Sequence, residues 1–354
     1  MVKKRKKMHQ ISVGPVKIGG SAPVSVQSMT KTDTRDARAT LAQIRRLEKA
    51  GCEIIRVAVP DEAAAASLPA IVKNSHIPVI ADIHFHYRLA LAAIAAGVAG
   101  LRLNPGNIGS RQKVAAVLER ASDSNVSIRI GVNSGSLEKD IRRQFGGPTP
   151  EALVESALRS IDLFEQLSFR NIKISIKSPD VVTTVDAYRL LSRKTRYPLH
   201  IGITEAGTLF SGTIKSAVGL GILLSEGIGD TLRVSLSADP VEEVRAGFAI
   251  LKALGLRQRG PEIISCPTCG RCQIDVVSLA RTIEAKLSSM KRPLKIAVMG
   301  CEVNGPGEAR EADIGIAGSR SNGVLFKRGT IIRRCDKGDL LKEFYRELAT
   351  LSEE

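Results

Sequence analysis

The last quarter of the chain carries a group of cysteines whose spacing suits metal binding. Cys266 and Cys269 form a Cys-x-x-Cys pair, Cys272 follows three residues later, and Cys301 comes after a short run of apolar residues. A Cys-x-x-Cys pair can place two thiolates on one metal centre, and the Pro and Gly residues around it favour a tight turn. The spacing therefore predicts a metal centre built on these thiolates.

Other interpretations of the cysteines are weaker than an iron–sulfur cluster. A zinc ribbon needs a second Cys-x-x-Cys pair or a His pair further downstream, and neither is present. A thioredoxin-like redox pair belongs at a helix start early in its own βαβ unit, which is not its position here. Inert buried cysteines rarely gather in this way. The pattern thus favours an iron–sulfur cluster.

The spacing alone leaves the fourth ligand of such a cluster open. Cys266, Cys269 and Cys272 could form a ferredoxin-like triplet, with Cys301 as the fourth ligand. Alternatively the fourth ligand is not a thiolate, and Glu308, seven residues after Cys301, is the candidate. A carboxylate is a harder and more easily displaced ligand for iron, so it could give way to a substrate.

The residues upstream of the cysteines predict a closed barrel of strands and helices. Short β-branched runs alternate with Ala- and Leu-rich helical stretches, which is the pattern of βαβ units and a parallel sheet. The eight predicted strands are 24–28, 53–59, 78–82, 100–103, 127–132, 172–176, 199–203 and 231–235. Eight such units match a (β/α)₈ TIM-type barrel. No Gly-x-Gly-x-x-Gly motif follows the first strand, which disfavours an open doubly wound sheet.

The alternation ends near residue 258, and a second domain is predicted to follow. We assign residues 1–258 to the barrel and residues 259–354 to a small α+β iron–sulfur domain. The predicted elements of this domain are a helix at 274–289, a strand at 294–299 and a closing helix at 339–351.

The carboxyl ends of the predicted strands carry many cations, and in a barrel these ends form the active site. The cations are Arg56, Arg102, Arg129, Lys177 and Arg233. An unpaired Arg in a buried strand is costly, and only a few carboxylates, among them Asp82 and Glu205, stand at these ends. The surplus predicts an anionic substrate, and Arg side chains suit the oxygens of a diphosphate.

Other polar residues near these ends suggest further chemistry. Glu205 lies just past the seventh predicted strand and is the candidate acid/base group. His84 and His86 could bind a metal, but a hydrogen-bonding role at the barrel rim fits each of them better. His200 begins its strand, at the end away from catalysis, so we interpret it as structural.

Composition and charge narrow the choice of partner. The chain has 52 Lys and Arg against 36 Asp and Glu, a formal net charge of +16, which suggests an anionic partner. Aromatic residues make up only 3% and Trp is absent, which argues against single-stranded nucleic acid as the partner. Residues 3–7 indicate a solvated basic tail, since no apolar segment of a signal peptide follows. No apolar run approaches the ~20 residues that span a bilayer, so we expect a cytoplasmic protein with reduced thiols.

Seven long motifs relate the chain to one family, nearly from end to end. The motifs are Pro-Val-Ser-Val-Gln-Ser-Met-Thr at 23–30, Ala-Asp-Ile-His-Phe at 81–85, Arg-Leu-Asn-Pro-Gly-Asn at 102–107, Leu-His-Ile-Gly-Ile-Thr-Glu-Ala-Gly at 199–207, Glu-Gly-Ile-Gly-Asp-Thr-Leu-Arg-Val-Ser-Leu at 226–236, Ser-Cys-Pro-Thr-Cys-Gly-Arg at 265–271 and Met-Gly-Cys-Glu-Val-Asn-Gly-Pro-Gly-Glu at 299–308. Through them the chain resembles the bacterial 4-hydroxy-3-methylbut-2-enyl diphosphate synthases of the non-mevalonate isoprenoid pathway.

The resemblance implies a cofactor, a substrate and partners. It implies a [4Fe–4S] cluster on Cys266, Cys269, Cys301 and Glu308, with Cys272 as a bystander. The implied substrate is 2-C-methyl-D-erythritol 2,4-cyclodiphosphate, which is opened and dehydrated by two electrons from flavodoxin or ferredoxin. The family forms homodimers in which the cluster domain of one chain caps the barrel of the other.

The resemblance also implies roles for residues of the barrel. The implied diphosphate ligands are Arg56, Arg102, Arg129, Asn133, Lys177 and Ser235, with His84 nearby, and Arg233 belongs to the same cationic set. Glu205 and Asp82 would handle protons.

Two functions of other classes compete with this expectation. A phosphate-binding barrel without redox chemistry, such as an aldolase or a pterin-type transferase, would be active without iron. A nucleic-acid-binding metalloprotein would show binding that falls steeply with salt. The scarce aromatic residues and the inward-facing arginines argue against the second alternative, so we expect neither nucleic acid nor a membrane as partner.

Overall fold

The chain folds as two units, Met1–Arg257 and Gln258–Glu354, which we call the barrel unit and the cysteine unit. The computed structural model describes residues 2–287, 290, 292–302 and 305–353.

The barrel unit alternates strands with helices after an initial pair of short strands. Its strands are β1 (Ile11–Val13), β2 (Val16–Ile18), β3 (Ser25–Met29), β4 (Ile54–Ala58), β5 (Val79–Asp82), β6 (Gly100–Leu103), β7 (Ser127–Asn133), β8 (Ile172–Lys177), β9 (His200–Ile201) and β10 (Thr231–Leu232). Its helices are α1 (Ala37–Ala50), α2 (Glu62–Asn74), α3 (Tyr87–Ala95), α4 (Pro105–Ile108), α5 (Arg111–Asp123), α6 (Lys139–Gln144), α7 (Pro150–Gln166), α8 (Val181–Lys194), α9 (Leu209–Ser225) and α10 (Pro240–Ala253).

The sheet of the barrel unit is parallel and nearly closed, which confirms the predicted fold class. Strands β3 to β10 pair in the order β8-β7-β6-β5-β4-β3-β10-β9. The remaining gap, between β8 and β9, is bridged by a parallel contact between Ile174 and Leu199. The backbone N–H of Ile174 also donates to the Pro198 carbonyl at 2.9 Å. The apolar side chains that alternate with the inward residues form one core beneath the helices.

Local signals delimit the helices that follow the strands. The Asp61 side chain accepts from the backbone N–H of Ala64 at the start of α2, and α8 begins in the same way at Asp180. Helix α1 is capped at its carboxyl end by Gly51. Its φ of 109° is a conformation that glycine adopts readily and that is costly for other residues. Because strand patterns and helix caps agree in this part of the chain, the alternation could be predicted from the sequence.

The last two barrel strands are shorter than predicted. The sequence predicts strands at 199–203 and 231–235, whereas β9 and β10 contain two residues each. The Arg233 N–H still donates to the Ile201 carbonyl at 3.1 Å, and beyond this bond the ladder ends. A Cβ at Gly202 would lie 2.5 Å from the Arg233 carbonyl oxygen, so the two backbones approach each other too closely for regular pairing.

An antiparallel hairpin of β1 and β2, absent from the sequence prediction, lies against the amino-terminal ends of the barrel strands. Ile11, Val13 and Ile18 of the hairpin form a small buried cluster with Ile54 of β4 and Ile80 of β5. Both strands contain three residues, which is too short for a clear alternation of apolar and polar positions.

The basic segment at the start of the chain is not the solvated tail that the sequence indicates. The Lys3 N–H donates to the Ser225 carbonyl at 2.8 Å, and the Lys6 N–H donates to the Gly227 carbonyl at 3.1 Å. Arg5 lies 3.7 Å from the buried carboxylate of Asp230. The expectation was wrong because unpaired carbonyls and a buried carboxylate of the barrel unit offer this segment partners that a charge count does not reveal.

The cysteine unit is a small α+β fold, as predicted. Its elements are β11 (Glu262–Ser265), α11 (Val276–Leu287), β12 (Lys295–Met299), α12 (Gly305–Glu308), β13 (Ile314–Gly318), β14 (Gly323–Lys327), β15 (Thr330–Cys335) and α13 (Leu340–Glu353). The five strands pair in chain order. The pairs β11–β12 and β12–β13 are parallel, and the pairs β13–β14 and β14–β15 are antiparallel. Residues 288 and 289 of the predicted helix at 274–289 lie outside the described residues.

None of the helices in the described part of the chain combines the length and the apolar character that crossing a membrane requires.

Candidate active site

The register of the sheet places the predicted cations inside the barrel. Arg102 on β6 pairs with Asp82 on one side and with Arg129 on the other, and Arg129 pairs with Lys173 of β8. Side chains alternate between the two faces of a strand, and the apolar neighbours of these residues fill the core under the helices. The polar residues therefore point towards the barrel axis.

The cations of different strands share one interior. Arg56, Arg102, Arg129 and Lys177 are at most 8% exposed. Burial lowers the pKa of Arg129 well below its usual value, and the nearby Arg56 and Arg102 lower it further. Burial and Arg129 act in the same way on the pKa of Lys177. The structure thus brings together the cationic set that the strand ends predict.

Asp82 is the carboxylate that holds two of these arginines. Its Oδ2 lies 3.4 Å from Arg56 Nε, and its Oδ1 lies 3.2 Å from Arg102 Nη1. Burial by itself raises the pKa of Asp82, but Arg56, His84, Arg102 and Arg129 reverse this effect and hold the pKa well below its usual range. Asp82 therefore stays ionised and accepts hydrogen bonds, which leaves it no proton to donate near neutral pH.

His84 stands at the rim beside this group. Its Nε2 lies 3.4 Å from Arg102 Nη1 and 3.6 Å from Asp82 Oδ1, and its side chain is 54% exposed. His86 immediately precedes α3 as its N-cap residue. His84 thus makes the hydrogen-bonding contacts at the barrel rim that the sequence suggests for it.

A second buried carboxylate, which the sequence analysis missed, comes from the helix layer. Glu243 on α10 accepts from the Leu236 N–H at 3.0 Å and from Ser28 Oγ at 3.3 Å. It lies 3.2 Å from Lys31 Nζ and 3.5 Å from Arg233 Nη2, and its side chain is 1% exposed. In the sequence Glu243 follows Glu242 in the first turn of a helix. Acidic residues are common there because they stabilise the helix dipole, so Glu243 gives no sign of its contacts inside the barrel.

Met29, also missed, contacts Arg56 from the neighbouring strand. Its Sδ lies 3.2 Å from Arg56 Nε and 2.9 Å from Arg56 Nη2. A thioether is a weak acceptor, so this contact orients the guanidinium without neutralising its charge. An apolar residue at a strand end gives no signal of such a role in the sequence.

The carboxylates of the interior do not reach every cation. Within the described residues, no carboxylate oxygen lies within 4 Å of Arg129, Lys173 or Lys177. The Nε and Nη1 atoms of Arg129 are buried and have no hydrogen-bond partner. A buried cation without a partner is costly, so these residues are the candidates for binding an anion.

Three further predicted residues lie at the same end of the barrel. The Asn133 side chain, oriented so that both of its ends are satisfied, accepts from Arg102 Nη2 at 3.2 Å. Ser235 is half-buried, two residues after Arg233. Glu205 is exposed, and its φ of 50° lies in the left-handed region that non-glycine residues rarely adopt. Such strain is concentrated at functional sites, which agrees with a chemical role for Glu205.

Gly202 makes room for Lys177, and its substitution is a sensitive test of this interior. A Cβ at Gly202 would lie 2.5 Å from the Arg233 carbonyl oxygen and 2.8 Å from Lys177 Nζ. We expect Gly202→Ala to lower the free energy of unfolding by about 1–3 kcal/mol through overpacking. The matched control is Gly221→Ala on α9, where a Cβ meets nothing within 4 Å and where alanine stabilises a helix by roughly 1 kcal/mol. Chemical denaturation that gave equal stability for the two variants would contradict this account.

In the cysteine unit, the parallel strands bring two of the predicted ligands close in the fold. Cys266 follows the end of β11 and Cys301 comes two residues after β12, and Ser265 is in register with Val298. The Gly300 N–H donates to Cys266 Sγ at 3.1 Å. Cys269 is exposed, and a hydrogen bond from the backbone of Arg271 lowers the pKa of its thiol. These thiols lie at one end of the small sheet.

Cys272 is also near this group but makes a different contact. Its Sγ donates to the Ile274 carbonyl at 3.0 Å and borders the core of the cysteine unit. A Cβ at Gly300 would lie 2.7 Å from Cys272 Sγ and 3.3 Å from Cys266 Sγ, so both sulfurs adjoin the same glycine. Glu308 is exposed at the end of α12. Cys272 and Glu308 are thus the two candidates for a fourth ligand.

The donor set of the cysteine unit fits an iron–sulfur cluster by its chemistry. All of its cysteines are free thiols, and a backbone N–H already donates to the sulfur of Cys266, as N–H groups do around cluster sulfurs. Among the residues that the structure describes, no three of these side chains lie together as ligands of one metal ion. The fit thus rests on the thiols and on their adjacent strand ends.

The fold and the two groups of residues define a class: a TIM-barrel protein with a buried cationic interior, followed by a small α+β domain with free cysteine thiols. The match to family models is more specific. Residues 8–248 match the GcpE TIM-barrel domain, and residues 262–350 match the GcpE protein C-terminal domain. The chain belongs to the GcpE family.

Curated relatives are similar to the chain over nearly its whole length. A 4-hydroxy-3-methylbut-2-en-1-yl diphosphate synthase (flavodoxin) of Geobacter sulfurreducens is 62% identical over 94% of this chain and 95% of the relative. A protein of the same name from Caldanaerobacter subterraneus subsp. tengcongensis is 57% identical over 100% of both chains. Among solved structures, a dihydropteroate synthase from Xanthomonas albilineans matches with a TM-score of 0.48 and 15% identity, covering 70% of this chain and 98% of that chain.

Proposed function

We propose that this protein is a 4-hydroxy-3-methylbut-2-en-1-yl diphosphate synthase that acts on 2-C-methyl-D-erythritol 2,4-cyclodiphosphate. The reaction consumes two electrons and two protons, opens the ring, and releases one water molecule with the product 4-hydroxy-3-methylbut-2-enyl diphosphate. The names of the relatives support the reaction. The observation that carries the proposal is the buried interior of the barrel, where Arg129 and Lys177 have no carboxylate within 4 Å among the described residues.

The barrel binds and orients the diphosphate. Arg129 and Lys177 face the anion directly, and Arg129 offers its two unpartnered N–H groups. Arg56, Arg102 and Arg233 complete the cationic wall, where Asp82 and Glu243 hold them in place. Asn133, Ser235 and His84 supply further hydrogen-bonding groups at the same mouth. Because the site is buried, each of these contacts acts in a medium of low dielectric constant.

Proton transfer is assigned to Glu205. Its carboxyl group is exposed at the mouth of the barrel, and the strained backbone fixes its position. As an acid it would protonate the departing oxygen of the substrate. Asp82 serves this chemistry indirectly, because as an ionised group it holds Arg56 and Arg102 in position.

The cysteine unit would hold a [4Fe–4S] cluster on Cys266, Cys269, Cys301 and Glu308, with Cys272 as the alternative to Glu308. When bound, such a cluster supplies electrons and a Lewis-acidic iron. Flavodoxin is the proposed donor, since it appears in the names of the relatives, and ferredoxin is the alternative. The exposed Cys269 and the need for reduced thiols suit a cytoplasmic location.

The proposal includes a homodimer in which the cluster domain of one chain caps the barrel of the other. An exposed apolar row on α9 supports the pairing of two copies. Phe210, Ile214 and Val218 are 78%, 49% and 50% exposed at a spacing of four residues, so they share one helix face. A contiguous apolar row of this kind is typical of an interface.

We expect Phe210→Glu to shift the protein from dimer towards monomer, because it places a charge at the most exposed position of the apolar row. Size-exclusion chromatography with light scattering measures this shift, against a chain mass of 37.9 kDa. The matched control is Ala66→Glu, which adds the same charge to an exposed position of α2. A dimer that survives Phe210→Glu would place the contact between copies elsewhere.

The experiment that tests the proposed function is an analysis of iron and acid-labile sulfide in protein purified without oxygen. We expect about four iron and four sulfide per chain, retained in Cys272→Ala and labile in Glu308→Ala. Retention in Glu308→Ala with loss in Cys272→Ala would make Cys272 the fourth ligand. Stoichiometric zinc without sulfide would remove the redox mechanism and favour a phosphate-binding barrel with a structural metal.

A further inference from the structure

The interior of the barrel contains a buried amine below the residues assigned to the diphosphate. Lys173 lies four residues before Lys177 on β8, on the same face of the strand, and it is in register with Arg129 of β7. Its side chain has no exposed surface, and its Nζ has no hydrogen-bond partner. Neither sequence patterns nor the proposed contacts with the substrate give this residue a role.

The nearest charged and titratable neighbours of Lys173 are cationic or neutral, and the one carboxylate that faces the same interior is held by other residues. Arg129 faces it from β7, Arg56 faces it from β4, and Lys177 follows on its own strand. On β9, His200 is fully buried with both ring nitrogens unpartnered. Across the barrel, the ionised Asp82 is engaged by Arg56 and Arg102.

These surroundings disfavour a positive charge on the Lys173 amine when no anion is bound. Burial, followed by Arg129 and Arg56, lowers the pKa of Lys173 to about 7. Burial, together with Arg129, Lys177 and Lys173, lowers the pKa of His200 well below its usual value, so His200 stays neutral. Of these two groups, Lys173 is thus the one that can change its charge near physiological pH.

We propose that Lys173 is a substrate-positioning residue that at pH 8 is uncharged in the ligand-free barrel and takes up a proton when a diphosphate binds. The inference rests on the proposed function, which places that anion against Arg129. The anion offsets the charge of Arg129, which removes the main repulsion that Lys173 experiences. The proton comes from the buffer and adds to the Lys173 Nζ lone pair, and the resulting cation strengthens the field that holds the anion.

The direction in which affinity for the anion changes with pH follows from the linkage between ligand binding and protonation of Lys173. If binding raises the pKa of Lys173 above its value in the empty barrel, the bound state carries more protons than the free state. Affinity is then highest below about pH 7, where Lys173 is already protonated. It falls as the pH rises above that value, by at most tenfold per pH unit for one proton.

The test is isothermal titration calorimetry at pH 8 in two buffers that differ in ionisation enthalpy. The full chain is titrated with 2-C-methyl-D-erythritol 2,4-cyclodiphosphate and, separately, with inorganic pyrophosphate. We compare the wild type with Lys173→Met, which keeps the apolar stem and removes the amine, and with Lys73→Met as an exposed control on α2. Lys173→Gln serves as a second variant if Met does not give folded protein.

We expect the wild type and Lys73→Met to take up more protons per ligand than Lys173→Met, with a difference close to one. Lys177 is present in all these proteins, so the difference reports Lys173. Equal proton uptake with and without Lys173 would overturn the inference, while binding of the cyclic diphosphate would leave the proposed function intact. Conversely, Lys173-dependent uptake with pyrophosphate, but no binding of the cyclic diphosphate, would support the inference and reject the proposed substrate.

Discussion

Glu205→Gln is expected to lower kcat for the proposed ring opening by about 10²–10⁴-fold, because an amide cannot transfer a proton as a carboxyl group does, although it keeps the shape of the side chain. The Kd of the cyclic diphosphate should change by less than about threefold, since the diphosphate is held by the cations of the interior. The measurement is single-turnover kinetics with pre-reduced protein, together with calorimetry of substrate binding. Unchanged kcat in Glu205→Gln would remove this residue from the proton transfer.

A second substitution at the same position separates chemistry from backbone strain. Glu205 has a φ of 50°, a conformation that costs a residue with a Cβ about 1 kcal/mol more than glycine. Glu205→Gly should therefore lose activity as Glu205→Gln does, but without loss of folding stability. If Glu205→Gly were strongly destabilised, the left-handed conformation would not be the source of strain that we assign here.

Arg129→Met is expected to raise the Kd of the cyclic diphosphate by about 10²–10⁴-fold. Arg129 has two buried N–H groups without an acceptor, and hydrogen bonds to charged groups contribute roughly 1.5–3 kcal/mol each. The free energy of unfolding should not fall, because the substitution removes a buried cation that has no carboxylate within 4 Å among the described residues. Calorimetry and chemical denaturation together measure the two effects.

Arg102→Met is the matched control for this prediction. Arg102 lies 3.2 Å from Asp82, so its removal leaves a buried carboxylate with one partner fewer. We expect a loss of about 3–5 kcal/mol in the free energy of unfolding, in addition to weaker binding. If Arg129→Met destabilised the protein as much as Arg102→Met does, Arg129 would be part of a structural ion pair and would not be kept unpaired for binding the substrate.

The sequence allowed the cationic interior to be predicted because it is encoded in the strands themselves. Arg102 and Arg129 interrupt apolar runs, and alternation along a strand decides which side chains face the barrel axis. Once eight parallel strands are recognised, the convergence of these residues follows from barrel geometry. The same reasoning could not tell which arginines are paired with carboxylates and which are not.

Three residues of the interior were missed because each has a residue type that is common at its position for another reason. Glu243 lies in the first turn of α10, and Met29 ends an apolar strand. Lys173 follows a buried isoleucine at the start of β8, where an exposed lysine would look the same in the sequence. Tertiary contacts alone distinguish these cases, since each contact joins residues far apart in the chain.

The cysteine unit illustrates a different limit. The spacing of Cys266, Cys269 and Cys301 indicates ligands, and the neighbouring parallel strands account for the approach of Cys266 and Gly300. Spacing does not separate Cys272 from Glu308, because each follows a predicted cysteine ligand closely in the sequence. Their difference is one of ligand hardness and exchange, which is a chemical property and not a pattern.

The central claim, that a cationic barrel and a thiol-bound cluster together reduce a cyclic diphosphate, is tested most directly by anaerobic turnover. Reconstituted protein is supplied with 2-C-methyl-D-erythritol 2,4-cyclodiphosphate and reduced flavodoxin, and the product is identified by mass spectrometry. We predict formation of 4-hydroxy-3-methylbut-2-enyl diphosphate, with one product for every two electrons consumed and no conversion by Cys301→Ala. Full conversion by Cys301→Ala that holds no iron, or no conversion by wild type that holds its cluster, would contradict the account.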